Sequence, residues 1–282
     1  MAATASNTAT AAATNASLHW SIVQQFMLRQ TGNVLRDDQA YLMESRLQRI
    51  IKTLGYNSVG ELITAACVPF APTKLSSAVV EALTTHETSF FRDIAFWRML
   101  QNTVLEKLID KVRAGKHVRI WCGACSTGQE PYSLAILLRE MAMTRLANVE
   151  IIATDIAEAT LEHARTGFYS SLEVNRGLDI KRLSANFIQA TGGFRVKEDI
   201  SRSITWRLHN LLGTNSDPTN CDMTLCRNVL IYFNETDRAA AMKRLIAATN
   251  PDGYVGIGST ESAREPGLTP LSSGLYLKSK AS

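Results

Sequence analysis

WCGACSTGQEPYSL, residues 121–134, packs two cysteines, two glycines and a Ser-Thr pair behind an apolar run and then turns into Gln-Glu-Pro. The run before it, HVRIW (117–121), has the length and composition of a buried strand, and helical periodicity follows from Pro131. The stretch is therefore strand, small-residue loop and helix. In parallel α/β sheets this junction binds ligands, because small residues let a ligand approach the backbone at the carboxyl ends of strands. Ser126 or Thr127 is suited to cap the helix, and Pro131 to its first turn.

Three chemistries compete for the loop. Gly123 to Gly128 has the G-x-x-x-x-G spacing of a triphosphate cradle, but that motif continues with a lysine, and Gln129-Glu130 stand here instead. A carboxylate in that place repels phosphate. Cys122 and Cys125, with Cys221 and Cys226, could supply four thiolates to zinc, yet the second pair is spaced by four residues and one member sits inside an apolar strand run. No metal is expected. The third chemistry is a nucleoside cofactor, with Asp155, at the end of the next apolar run, accepting hydrogen bonds from ribose hydroxyls. A plainer role for Asp155 is to cap the helix starting near Ala157. Glu130 at the mouth of the loop decides between cofactors: a pyrophosphate wants a bare helix N-terminus, whereas a carboxylate suits the ammonium and sulfonium of S-adenosylmethionine. Its plainer role is that of a first-turn acid favoured by the helix dipole.

The same grammar extends outward. After Gly115, apolar runs at 117–121, 149–155, 204–210, 223–233 and 254–259 alternate with helical patterns at 131–144, 157–166 and 235–249, which argues for a parallel α/β sheet. Asn250-Pro251-Asp252-Gly253 is a turn signal, and GLYLKSK a terminal strand. Between 166 and 203 a polar insert holds a short helix pattern (180–188), a Gly192-Gly193 turn and the alternating strand FRVKEDI. Before Lys111 the pattern is helical, clearest where Met43, Leu47, Ile50, Ile51 and Leu54 form one stripe closed by Gly55, followed by helices near 58–67 and 75–84. Arg49 and Lys52 project from the opposite side, with Arg46 on its flank.

Composition narrows the class. The chain has 282 residues, 45% of them hydrophobic, enough for a real core. Residues 1–17, rich in Ala, Thr, Asn and Ser, read as a disordered tail. An odd number of cysteines, five, fits a reducing compartment, and neither a signal peptide nor a run of the roughly 18 apolar residues that span a membrane is present. The expectation is a cytoplasmic protein. A net charge of +4 sets no expectation of nucleic-acid binding but suits an acidic partner surface.

Four motifs resemble the chemotaxis receptor methyltransferases, the CheR family: TTHETSFFRD (84–93), WCGACSTGQEPYSLA (121–135), ATDIAEATLEHARTGFY (153–169) and LCRNVLIYF (225–233). The resemblance implies a Rossmann-like methyltransferase sheet (96–282) with an inserted β-subdomain at about 168–203, preceded by an all-helical domain (18–95). It implies an S-adenosylmethionine-dependent enzyme, leaving S-adenosylhomocysteine, that methylates glutamates on the cytoplasmic helices of chemoreceptors and meets the membrane only through them. The helical domain would dock on the receptor through Arg46, Arg49 and Lys52, and is a place for a regulatory protein. The family's cofactor contacts fall on His86, Thr88, Arg92, Gly123, Glu130, Asp155, Asn210, Leu211, Arg227 and Asn228. His86 departs from the usual asparagine, and Cys122 and Cys125 from the usual small residues, which leaves open their oxidation.

Methyl transfer to an ionised carboxylate needs no general base, since glutamate is charged near pH 7. Arg92 and Tyr232 are the candidates for holding the acceptor, by a guanidinium fork and a phenol hydrogen bond. Their plainer roles are a surface arginine at a domain junction and an aromatic packed at a strand end. Two rival functions follow from the same fold: a methyltransferase of another substrate class, and a non-catalytic signalling adaptor. Nucleic-acid base methyltransferases carry Asn/Asp-Pro-Pro-aromatic where this chain has Asn228-Val229-Leu230-Ile231. The tight 190–194 turn of the insert predicts docking that needs no peptide tether.

Overall fold

The computed structural model describes the backbone over residues 2–142 and 148–279 and the side chains over 17–141 and 148–279. Two compact units result, Met1–Thr85 with Tyr232–Asn234, and His86–Ile231 with Glu235–Ser282.

The first unit is built from α1 (Ala2–Thr31), α2 (Ala40–Ile50), α3 (Val59–Ala66) and α4 (Thr73–Leu83). Met43, Leu47 and Ile51 are buried and Ile50 and Leu54 half-buried, as their spacing predicts. Gly55 closes the stripe at φ +81°, a left-handed conformation that suits glycine. Ser58 caps α3, its hydroxyl accepting from the Glu61 N–H at 3.1 Å. The tail expected over 1–17 lies, Ser17 apart, outside the residues whose side chains are described. Val34 N–H donates to the Tyr232 carbonyl at 2.8 Å, which ties 232–234 to this unit.

The second unit opens with α5 (Ile94–Leu100), a π-helical turn (Gln101–Leu105) and α6 (Glu106–Arg113). The expected boundary at 95/96 is thereby corrected to 85/86. Phe90 and Phe91 are buried in this unit's core, and Phe91 N–H donates to Ser133 Oγ at 2.9 Å. In chain order follow β1 (Val118–Gly123), α7 (Gln129–Ala142), β2 (Val149–Asp155), α8 (Glu158–Thr166), β3 (Phe168–Tyr169), α9 (Ser171–Asn175), α10 (Ile180–Asn186), β4 (Phe187–Ala190), β5 (Gly193–Val196), α11 (Glu198–Ser201), β6 (Ile204–Leu208), β7 (Cys221–Cys226), α12 (Glu235–Ala248), β8 (Thr249–Ile257), β9 (Leu268–Ser272) and β10 (Leu275–Lys278).

Seven strands form one sheet in the order β6-β2-β1-β7-β8-β10-β9. The first five are parallel, and β10 and β9 close the edge antiparallel. β1 and β7 are buried almost throughout, which is why they read as continuous apolar runs. The buried carboxylate of β7, Asp222, is satisfied by Lys111 Nζ at 2.8 Å and the Arg119 N–H at 3.0 Å. The insert forms a small antiparallel sheet, β3-β5-β4, whose β4–β5 hairpin turns through Thr191-Gly192 with Gly192 at φ +83°.

Three sequence expectations are corrected here. The strand expected over 223–233 ends at Cys226, because Asn228 turns to φ +60° and the N–H groups of Asn228 and Ile231 go to the Glu261 carboxylate at 3.2 and 3.1 Å rather than to a neighbouring strand. Asn250–Gly253 is a bulge within β8, where the pairing with β7 shifts register, and not a turn before it. FRVKEDI stops being a strand at Val196, and 198–201 coil into α11.

Candidate active site

From β1 the chain goes to β2 on one side, while β7 lies on the other, so the order of strands reverses between β1 and β7. A crevice outside their carboxyl ends is expected at that point. One is present, lined by Thr88, Trp97, Glu130 and Asn228 together with the guanidinium-bearing Arg92 and Arg227. The glycine loop forms one wall and is held by its backbone: Cys125 N–H donates to Thr154 O at 2.9 Å, and Ser126 N–H to Asp155 Oδ2 at 2.8 Å. Ser126 does not cap α7, since its hydroxyl donates to the His86 carbonyl at 2.8 Å. Thr127 does not cap it either: its hydroxyl donates to the Gln129 side chain at 2.8 Å. Gly128 begins the helix at φ +94°, where a Cβ would stand 2.9 Å from Ala164 Cβ.

Among the described residues, seven non-glycine positions have positive φ, and Phe91, Asp93, Ala124, Ser126 and Asn228 are five of them. These five belong to the two loops and the segment that frame the crevice. Each such conformation costs of the order of 1 kcal/mol or more, and concentrated backbone strain marks functional loops held in place by their surroundings.

Asp155, at the end of β2, is buried. Its Oδ2 accepts from Ser126 and its Oδ1 from the Ala157 N–H at 3.0 Å. Burial pushes its carboxyl up, opposed by those N–H groups and by the nearby His86. The expected helix cap is therefore realised as a latch that ties the glycine loop to the entry of α8, whose own N-cap is Ala157. His86 Nδ1 stands 3.4 Å from Thr160 Oγ1. A Cβ added to Gly123 would meet Leu211 Cδ2 at 3.5 Å, and Asn210 Oδ1 accepts from the Leu212 N–H at 2.9 Å, so the turn after β6 closes the floor.

Arg227 is the electrostatic centre. Its side chain is 2% exposed; Nη1 reaches Glu130 Oε2 at 3.1 Å, Nη2 reaches Asp93 Oδ2 at 2.8 Å and the Arg92 carbonyl at 3.0 Å, and Cζ lies 4.1 Å over the Phe96 ring. Burial raises the Glu130 carboxyl, and the Arg227 charge opposes that shift. Arg92 Nη1 donates to the Glu87 carbonyl at 2.9 Å. Cys122 and Cys125 are buried, and burial pushes both thiols well above the ordinary cysteine value, so they are neutral packing residues under the loop.

Of the residues expected at the cofactor, Thr88, Arg92, Glu130, Arg227 and Asn228 line the crevice; Gly123, Asp155, Asn210 and Leu211 stand outside that lining, at or just after the carboxyl ends of β1, β2 and β6, and the His86 carbonyl meets the Ser126 hydroxyl. Tyr232, in a 3-10 turn, groups with the first unit, as do Arg46, Arg49 and Lys52. Arg49 and Lys52 are exposed, whereas Arg46 donates to the Leu83 and Thr84 carbonyls, both at 3.2 Å. Asp93 and Glu261 escaped the sequence reading. Asp93 ends the TTHETSFFRD motif, which was its signal, while Glu261, with Oε2 also accepting from the Gly258 N–H at 2.6 Å, carried none.

Comparison with known proteins follows this geometry. Residues 86–271 match the model of the CheR methyltransferase SAM-binding domain, beginning where the second unit begins. The chain belongs to the CheR methyltransferase family. It is 36% identical over 252 residues to chemotaxis protein methyltransferase 1 of Pseudomonas aeruginosa, covering 88% of this chain and 91% of that protein. It is 35% identical over 243 residues to chemotaxis protein methyltransferase 1 of Vibrio cholerae (84% and 86%), and 29% over 252 residues to the Escherichia coli chemotaxis protein methyltransferase (86% and 84%).

This CheR family member is an S-adenosylmethionine-dependent methyltransferase of chemotaxis. The crevice fits the cofactor: it presents the Glu130 carboxylate, and Arg227 Nε is a buried donor with no hydrogen-bond partner among the described residues. Such a donor costs about 1–3 kcal/mol unless something accepts from it. Among the described residues no helix is long and apolar enough to cross a membrane.

Proposed function

We propose that the protein transfers a methyl group to glutamate side chains on the cytoplasmic helices of chemoreceptors, forming glutamyl methyl esters, and that it acts in the cytoplasm. One observation carries the choice of acceptor: the cations lining the crevice are Arg92 and Arg227, and a guanidinium holds its proton at every working pH. An amine or alcohol acceptor would need a base there, and the two carboxylates of the lining, Glu87 and Glu130, are ion-paired to Arg176 and Arg227; an ionised carboxylate needs none. S-Adenosylmethionine supplies an electrophilic methyl on a sulfonium. The chain's own residues then bind and orient: Glu130 takes the cationic end, Asp155 the ribose hydroxyls, and Asn210, Leu211 and Asn228 the remaining edge.

Arg92, which lines the crevice, orients the acceptor. A tight guanidinium fork would stabilise the nucleophile's charge and slow its attack, so the Arg92 contact is loose or turned to the cofactor's carboxylate. Receptor membranes with tritiated methyl donor test the reading: label released as methanol by alkali supports a methyl ester, and alkali-stable label overturns it. Arg92→Ala should lower transfer far more than Asp155→Asn at saturating cofactor; equal turnover in Arg92→Ala and wild type removes that role.

Docking rests on Arg49 and Lys52, exposed in the last turn of α2 and in the turn just after it, since Arg46 is engaged with the end of α4. An acidic receptor bundle is the complementary surface. The two-residue β4–β5 connection leaves little loop to wrap a peptide, so docking needs no tether. Calorimetry against a tethering pentapeptide should give no binding heat, and tight binding would refute this point.

A further inference from the structure

Two of the buried side-chain donors lacking a partner among the described residues, Arg227 Nε and Trp97 Nε1, belong to residues that line the same crevice. Trp97 is 3% exposed, on α5, and the Arg227 Cζ lies 5.8 Å from its ring centroid. Its packing is otherwise complete: the ring meets Phe91 and Phe96 edge to face, with centroids 5.5 and 6.0 Å away. These contacts use the ring and not its N–H, so aromatic packing leaves the indole N–H unexplained. The other buried tryptophan, Trp121 on β1, shows the usual arrangement, donating to Thr154 Oγ1 at 2.9 Å.

Charge indicates what the two donors want. Glu130 and Asp93 already occupy Nη1 and Nη2 of Arg227, and Glu130 is the group suited to an ammonium. In an α-amino acid the ammonium and the carboxylate are borne by one carbon. A ligand whose ammonium meets Glu130 must therefore bring a carboxylate to the neighbourhood of the same guanidinium, and a carboxylate is what two unpaired N–H donors would bind.

We propose that Trp97 is a carboxylate-positioning residue: its indole N–H, together with Arg227 Nε, receives the carboxylate of the methionine end of S-adenosylmethionine. The proposal rests on the cofactor assignment and adds a recognition element to it. Specificity follows, because a cofactor analogue without the carboxylate leaves both donors buried and unpaired, the condition under which polar sites discriminate most strongly.

Calorimetry with S-adenosylmethionine and with decarboxylated S-adenosylmethionine tests this, because both are sulfonium cations and differ only in the carboxylate. Trp97→Phe keeps an aromatic ring and removes the donor. It should weaken S-adenosylmethionine binding by about tenfold, the scale of one hydrogen bond to a charged group, and leave decarboxylated S-adenosylmethionine unchanged. In the wild-type protein the Trp97 indole N–H resonance, assigned through its contacts with the Phe91 and Phe96 rings, should move downfield with the first ligand and stay in place with the second; this reading does not depend on the variant's stability. Equal weakening of both ligands, or an indole signal indifferent to the carboxylate, overturns the proposal alone. Failure of the wild-type protein to bind either ligand overturns the cofactor assignment and the proposal with it.

Discussion

At the residue scale, Arg227 is where stability and function meet, because its buried guanidinium stands between Glu130 and Asp93. Arg227→Met would leave two carboxylates facing each other without a counter-charge. Breaking a buried pair in this way costs about 3–5 kcal/mol, which urea denaturation will read; a loss under about 1 kcal/mol would show that the network is solvated. Glu130 gives a pH signature. Burial holds its carboxyl above the usual range, so on acidification it takes up a proton, and loses its attraction for a cationic ligand, before an exposed glutamate would. Calorimetry should show cofactor affinity falling in that window, with Glu130→Gln weaker throughout and flat across it. The cysteines behave oppositely to a reactive thiol: with Cys122 and Cys125 raised well above the ordinary value, the thiolate forms only at strongly alkaline pH. Iodoacetamide should leave both unlabelled in the native protein near neutral pH and label them after unfolding; native labelling would restore a redox role. Glu130 and Asp155 were legible in the sequence because a charge at a strand-loop-helix junction has few uses. Asp93 was not, because its pairing with Arg227 spans 134 positions of chain and depends on a left-handed backbone at Asp93 itself.

At the scale of elements, the parallel strands were legible wherever both faces are buried, since only then does a strand read as an apolar run. The end of β7 was not: Leu230, Ile231 and Tyr232 continue the run, and what stops the strand is Asn228 at φ +60° with its N–H bound to Glu261. β9 was missed for the opposite reason, because LTPLS is half polar and contains Pro270, which only a sheet edge tolerates. The loop between β1 and α7 depends on Gly128. A side chain there meets Ala164 Cβ at 2.9 Å and the Trp206 ring and Tyr169 hydroxyl at 3.0 Å, on a backbone at φ +94°. Gly128→Ala should therefore destabilise by at least about 1 kcal/mol, lowering Tm by roughly 2–4 °C per kcal/mol for a unit of this size. An unchanged Tm would mean that the loop yields freely, and that the strain framing the crevice is not enforced by its packing.

At the scale of the whole molecule, the proposed function divides between the two units. Cofactor chemistry belongs to the second unit, in which the family match begins and ends. Under the proposal the exposed cations of the first unit meet the receptor. Arg49→Glu should then lower receptor methylation, more at low salt than at high salt because the attraction is screened, while calorimetric cofactor affinity stays at the wild-type value. Unchanged methylation would remove this helix from docking, and a fall in cofactor affinity would show that the variant acts elsewhere. The central claim, methyl esters on receptor glutamates, is tested most directly by peptide mass spectrometry of receptors incubated with the protein and S-adenosylmethionine. The account predicts a methyl increment on glutamates of the cytoplasmic helices, removed by alkali; increments confined to lysine, arginine or cysteine, or none at all, would contradict it.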